Sequence, residues 1–444
     1  ALSSRHLSSR IIHHPSRTST IRSTTTMSMS TADSNPPSTG EECNVDAPDC
    51  ADMKSSTFNL IKACVGSGVL SLSSGVAAFG DTSSAIIPAS ILMSLLGTLS
   101  AYSFYSIGKM CEETKSMSIS EAWGKTVGED STWLISLACF LTPLGAALSY
   151  SIILADVFTA LAATVGLTLS RPASIIGMSS FVLYPLCSLK SLSALAPVSI
   201  LGVVGILVTA IFMGVRAFGS AYSPGGALAS TLAPALTPAF NKVGVNLLQP
   251  SSLILVSMAA TAYLSHFNAP DFYNQLMEPT PKRFKVLTGM GFTATAILSV
   301  LMMSFGFLTF GSASSGIILN NYSTGDIGAT VCRLLMGIAI IGTYPFVFSG
   351  MRNAFFQLVK KGKEVKDSES RTATQVMLAS VTGLALILKN AGFIVSFNGA
   401  LMGSAIIYIF PPLMFLKSTS DRIKSGVLKA NKKVKLERFF NKVL

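Results

Sequence analysis

Phe58-Asn59-Leu60-Ile61-Lys62-Ala63-Cys64-Val65-Gly66-Ser67-Gly68-Val69-Leu70 reads as an apolar helix interrupted at its centre by Gly66-Ser67-Gly68. Far along the chain, His266-Phe267-Asn268-Ala269-Pro270 interrupts a second apolar segment in its second half. Each interruption lies in a stretch of about 20 residues, the length that crosses roughly 30 Å of hydrocarbon. Lipid offers backbone groups no hydrogen bonds. Irregular backbone at that depth is therefore tolerated only where it is buried in protein or lines a cavity. Two breaks at corresponding places in two halves of a chain point to an inverted-repeat carrier with its binding site between them.

The rest of the sequence supplies the membrane context. Of 444 residues, 50% are hydrophobic and 12% charged, against about 25% charge in a soluble domain. Ten apolar segments follow residue 55, over 57–79, 85–108, 132–164, 173–189, 194–217, 250–272, 286–311, 329–358, 373–389 and 391–416. The fourth is short and the ninth is weakly apolar. The expected fold is an all-α integral membrane protein of two five-helix repeats with opposite topology, about 56–217 and 250–416, with helices one and six discontinuous. Residues 1–55 read as a Ser/Thr/Arg-rich cytosolic tail or targeting segment, and 417–444 as a basic cytoplasmic tail.

Placing the N-terminus in the cytoplasm puts Lys109, Lys115, Lys125, Lys190, Lys282, Arg283, Lys285, Lys360, Lys361, Lys363, Lys366 and Arg371 in inner loops. Only Arg171, Lys242 and Lys389 fall clearly in outer ones. The net charge of +12 thus reads as membrane topology and not as a nucleic-acid surface. Asn321-Tyr322-Ser323 is an N-glycosylation sequon in an outer loop. The cysteines show no CxxC spacing, and no phosphate-binding loop, metal-ligand cluster or nucleophile–base set is visible. Cofactors are not expected, and neither is an enzyme.

Four stretches resemble one family, the amino acid/auxin permeases, a group of LeuT-like transporters. They are Phe58–Leu70; Ser265–Tyr273; Gly306-Phe307-Leu308-Thr309-Phe310-Gly311 followed by Asn320-Asn321-Tyr322; and Gly399–Ser404 through Tyr408-Ile409-Phe410-Pro411. The resemblance implies amino-acid transport and an eleventh helix, which is absent from or cut short in this chain. Sodium-coupled relatives carry Asn at the place of Lys62, paired with a Thr that matches Thr343. Lys62 is therefore similar to proton-coupled and vacuolar-type members. Many relatives also have Pro where Ser73 stands.

The candidate site follows from the chemistry of a zwitterion. Breaking helix one at Gly66, Ser67 and Gly68 frees backbone N–H groups and starts a new helix at Val69, whose positive dipole end suits a carboxylate. Carbonyls near Thr261–Ser265 suit the ammonium. His266, Phe267, Asn268, Tyr150 and Ser149 are candidates for side-chain selectivity. Lys62 near mid-membrane costs at least about 2.5–3.5 kcal/mol on insertion scales. It is therefore read as a surrogate for the coupling cation, as a proton carrier, or as a lock between helices one and eight, with Thr343 opposite.

The sequence thus predicts a secondary carrier for amino acids, sodium-independent, driven by protons or running as a facilitator. The alternative is a membrane amino-acid sensor signalling through its tails. A vacuolar, lysosomal or plasma membrane is expected, with an organelle envelope as a further option.

Overall fold

The computed structural model describes residues 51–189, 196–240, 249–360, 365–429 and 431–443, and among them every regular element is helical. The readings of residues 1–50 and of Lys190, Lys242, Lys361 and Lys363 lie outside the described residues.

The first span is two helices, α1 (Met53–Cys64) and α2 (Ser67–Phe79), bent by 50°. The sixth is likewise two, α9 (Ser252–Ala262) and α10 (Ala269–Asn274), joined through a 3₁₀ turn at His266–Asn268. Pro270 stands in the first turn of α10, where a missing N–H costs nothing. Between them lie α3 (Ile86–Thr114), α4 (Ile119–Thr126), α5 (Thr132–Thr164), α6 (Arg171–Gly177), α7 (Tyr184–Cys187) and α8 (Ala196–Phe218). The second half continues with α11 (Pro281–Phe310), α12 (Ile327–Lys360), α13 (Asp367–Ile387), α14 (Ala391–Asn398), α15 (Phe410–Lys424) and α16 (Lys432–Val443). Helices α6 and α7 are continuous through a π-helical stretch, as are α14 and α15.

Six of these spans are long and apolar enough to cross a membrane unaided, and the bent pair α1–α2 makes seven. The other three are α6–α7, α9–α10 and α13, which are interrupted, broken or polar. They correspond to the apolar segments that complete the expected ten. The result is the expected all-α, five-plus-five inverted repeat with discontinuous helices one and six. Helix ends run beyond the apolar segments because a helix keeps its backbone bonds after it leaves the hydrocarbon.

Helix α2 packs against α9 and α11, and α5 runs along α12. The chain from α14 into its π-helical extension lies on α9 through Gly399 and Gly403. A Cβ at Gly399 would overlap the Ser257 carbonyl, and one at Gly403 would sit 3.1 Å from the Ala260 Cβ. Small residues four apart let two helices approach where lipid gives no hydrophobic drive. The Thr261 hydroxyl then donates to the Val395 carbonyl at 2.7 Å.

Two elements depart from the sequence reading. Helix α4 was not anticipated, although Ser118-Ile119-Ser120-Glu121 spells a capping box. Ser118 accepts from the Glu121 N–H at 3.2 Å, and Glu121 accepts from the Met117 N–H at 2.9 Å. The basic tail after 416 is also largely helical, in α15 and α16.

The loop between α11 and α12 is tightly organised. Arg333 of α12 is buried and donates to the carbonyls of Leu319 at 2.9 Å, Tyr322 and Ser323. The guanidinium fork supplies these loop carbonyls with donors. Burial raises the pKa of Tyr222, whose neutral hydroxyl donates to Asp326 at 3.1 Å beside Arg216.

This geometry places Asn321, the expected glycan acceptor, inside the loop. Asn321 is fully buried, its amide nitrogen donates to the Ala313 carbonyl at 2.7 Å, and its oxygen accepts from the Ser315 N–H at 2.8 Å. A glycan on that nitrogen would block the loop from closing. Expressed in a glycosylating host, the chain should show no mobility change on N-glycosidase treatment, and Asn321→Gln should migrate as the parent does. A shift on treatment that Asn321→Gln abolishes would contradict this packing.

Candidate functional site: the two helix breaks

The α1 break is built by backbone that stops pairing. The Val65 N–H closes α1 on the Ile61 carbonyl at 2.8 Å, and the Gly66 N–H turns back to the Cys64 carbonyl at 2.9 Å. Helix α2 then starts at Ser67 with Gly66 as its cap, two residues earlier than the expected start at Val69. The first-turn N–H groups of Ser67 and Gly68 thus have no partner within their own helix. Val69 is buried inside that turn, its N–H 3.4 Å from the Gly66 carbonyl.

Neither glycine is required by an unusual dihedral. Gly66 has φ −116°, accessible to any residue. Close approach requires them instead. A Cβ on Gly66 would sit 2.7 Å from the Tyr150 hydroxyl oxygen, and one on Gly68 would sit 3.1 Å from both the N and Cα of Ala262. Tyr150 of α5 therefore stands over the first break, and the start of α2 touches the end of α9 at the second. The positive end of one helix dipole faces the negative end of another there.

The second break is held by turns. Tyr263 bonds to Ala259 at 3.1 Å, Leu264 to Thr261 at 3.1 Å, Ser265 to Tyr263 at 3.0 Å and Asn268 to Ser265 at 2.9 Å, each N–H to carbonyl. Some of the carbonyls expected to meet an ammonium are thus engaged once, though each keeps a second lone pair. The Ser265 hydroxyl lies 3.1 Å from the Cys64 thiol, directly linking the two breaks. Cys64 was not singled out from the sequence as a site residue. Its place one residue before the bend was the signal available in the sequence.

The structure brings Gly66, Gly68, Tyr150, Thr261 and Ser265 together, and Ser67 shares their segment. His266 is set elsewhere. Its Nε2 is 2.9 Å from the Ser100 carbonyl of α3, and its ring is edge-on to Phe104 and Phe292. The imidazole is fully buried on the α3–α11 side of the broken helix. Phe267 and Asn268 are partly buried in the 3₁₀ turn. Ser149 is buried on α5, while the next residue but one, Ser151, pairs with the Tyr344 hydroxyl at 3.1 Å.

Lys62 lies on α1 with its ammonium 5.2 Å from the ring centroid of Phe346 on α12. Thr343 is one turn earlier on that helix, its hydroxyl donating to the Ala339 carbonyl at 2.8 Å. The lysine thus addresses the helix that carries Thr343, and it meets an aromatic face there. Phe346 was not singled out from sequence, although its i+3 spacing from Thr343 puts both on one face. Asp156 pairs with Arg171 at 3.0 Å and accepts from Asn320 at 3.1 Å, beside a cavity of about 300 Å³.

Broken helices in two inverted halves, meeting at mid-bundle, define a membrane carrier for small solutes. The model of the transmembrane amino acid transporter protein family matches residues 50–440, and the chain belongs to that family. A Danio rerio protein called "Putative sodium-coupled neutral amino acid transporter 11" is 26% identical over 382 residues, covering 84% of this chain and 80% of its own. Its Bos taurus counterpart of the same name is 23% identical over 388 residues, covering 84% and 78%. Among solved structures, the inward-facing conformation of Mhp1 superposes with a TM-score of 0.58 at 10% identity, covering 84% of this chain and 77% of that one. MhsT in complex with L-phenylalanine gives 0.51 at 14%, covering 90% and 96%. These likenesses establish the LeuT-like fold. The names of the two relatives differ from the proton-coupled branch to which Lys62 had pointed.

The close approaches give a paired test. Gly66→Ala should lower amino-acid uptake at least tenfold with the protein still in the membrane, and adding Tyr150→Phe should recover part of it by removing the clashing oxygen. Gly68→Leu faces rigid backbone, so uptake should be lost and no single side-chain truncation should restore it. Substrate binding at wild-type affinity in Gly68→Leu would exclude the site from this junction.

Proposed function

We propose that the protein carries neutral amino acids by alternating access, with the zwitterion held between the start of α2 and the end of α9. The observation that carries this reading is the contact of Gly68 with the Thr261–Ala262 backbone. Unpaired N–H groups and the positive end of α2 meet a carboxylate, while carbonyls at the end of α9 meet the ammonium. Tyr150 closes one side of the gap. Restriction to neutral side chains is supported by the surroundings: Cys64, Ser265 and Tyr150 are uncharged. The names of the relatives point the same way.

The coupling ion is the finer part of the proposal. A sodium ion at the α1–α12 position needs oxygen ligands, and a charged lysine has donors only. Its repulsion of a second cation amounts to about 4 kcal/mol at 4 Å for an effective dielectric of 20. One polar contact from Thr343 contributes about 1–3 kcal/mol, too little to offset it. On this reading Lys62 takes the cation's place and transport is sodium-independent, with a proton gradient or the substrate gradient alone as the drive. The second reading, sodium symport through a site elsewhere, is favoured by the names of the relatives.

Uptake by proteoliposomes separates the two. Replacing sodium by choline at fixed pH should leave neutral amino-acid uptake within about twofold on the lysine-surrogate reading, whereas sodium symport predicts a collapse. If an inward-directed proton gradient stimulates uptake, Lys62→Met should lose that stimulation. Retention of the response in Lys62→Met would remove Lys62 as proton carrier. Binding without flux of any amino acid would favour the sensor reading instead.

A further inference from the structure

Helix α16 turns back from the end of α15 and docks on α3. Glu437 pairs with Lys109 at 3.2 Å, and Asn441 donates to the Tyr102 hydroxyl at 2.6 Å. Tyr102 and Lys109 are seven residues apart on a membrane-spanning helix, so about 10 Å of α3 separates them along its axis. The two anchors give α16 a depth. Its end at Asn441 reaches past the Lys109 level towards the hydrocarbon, and its start lies on the water side.

The two faces of α16 differ in kind. Val434, Glu437, Arg438 and Asn441 lie on the partly or fully buried side. Lys432, Lys435, Leu436, Phe439 and Lys442 are exposed, with Leu436 at 55% and Phe439 at 60%. These positions follow helical spacing and form one stripe: two apolar side chains flanked by three lysines. The helix has a single acid, Glu437, and Lys109 pairs with it. Among nearby acids, Glu113 pairs with Arg422 at 2.6 Å and Asp421 with Lys417 at 3.6 Å, while Glu112 stands on α3 near Tyr105 and Tyr273. The local cationic excess therefore faces outward at membrane depth.

We propose that α16 is an interfacial helix that binds anionic phospholipid headgroups, with Leu436 and Phe439 entering the headgroup–acyl boundary. The lysine stems lie along the apolar surface and carry their ammonium groups to the lipid phosphates. Charge complementarity selects anionic over zwitterionic lipid, and anchoring to α3 makes the bound lipid part of the folded bundle. This inference is independent of the substrate and of the coupling ion.

The test uses the full chain purified in detergent, titrated with phosphatidylglycerol or phosphatidylcholine while thermal unfolding is followed. Phosphatidylglycerol should raise the apparent Tm in a salt-sensitive way, and phosphatidylcholine should not. Lys432→Gln/Lys435→Gln/Lys442→Gln should weaken the phosphatidylglycerol effect at least tenfold in midpoint concentration, with unchanged Tm in its absence. If that variant does not fold, Phe439→Trp in proteoliposomes provides the second readout. Brominated lipid should quench its added emission relative to the parent. Equal stabilisation by both lipids, the same stabilisation by inorganic phosphate, or an unquenched tryptophan would each overturn the proposal.

Discussion

Everything at the centre of this protein depends on backbone polar groups that have no water to turn to. Breaking a helix in hydrocarbon leaves N–H and C=O groups whose desolvation is costly. The fold answers by breaking two helices at one place and setting their ends against each other. Gly68 touches the Ala262 backbone, and Cys64 touches Ser265. The N–H groups at the start of α2 have no acceptor within their own helix. Under the proposed carrier mechanism a bound zwitterion would meet them, so substrate binding and backbone satisfaction would be the same problem.

The surrounding helices have the task of keeping that junction dry and fixed. α9 is pressed on one side by Gly399 and Gly403, and α5 brings Tyr150 to the other. His266, the obvious polar residue of the second break, is used to tie the break to α3 through the Ser100 carbonyl. The loop between α11 and α12 is held by Arg333 and Asn321 from within, and it is joined to α5 by Asn320 and Asp156. Charges and amides at that end of the bundle therefore serve loop order, and the charge on α1 meets the Phe346 ring of α12.

The fold was largely legible in the residues. Apolar runs of membrane-spanning length, Gly66-Ser67-Gly68, and the His266–Pro270 interruption are local features, and local features survive folding because hydrocarbon fixes the helix as the only spanning form. Helix α4 was legible too, through Ser118 and Glu121, but at 8 residues it is too short to show as a membrane-spanning apolar run. The site was legible in its backbone part only. Which way a side chain points from a 3₁₀ turn depends on neighbours far away in sequence, so His266 and Asn321 could not be placed from their own surroundings.

Sequence alone thus determined the class of protein, the pair of breaks, the lysine in the first span and the asymmetric charge of the loops. Each follows from one-dimensional length, polarity or spacing measured against a bilayer of fixed thickness. Only the tertiary structure decided that Gly66 is needed for Tyr150 and Gly68 for Ala262. It also decided that Lys62 meets Phe346, that Asn321 is sealed inside its loop, and that the basic tail folds back on α3. Those outcomes depend on distances between helices, and helix packing sets such distances through small residues and hydrogen bonds whose partners lie far apart in the chain.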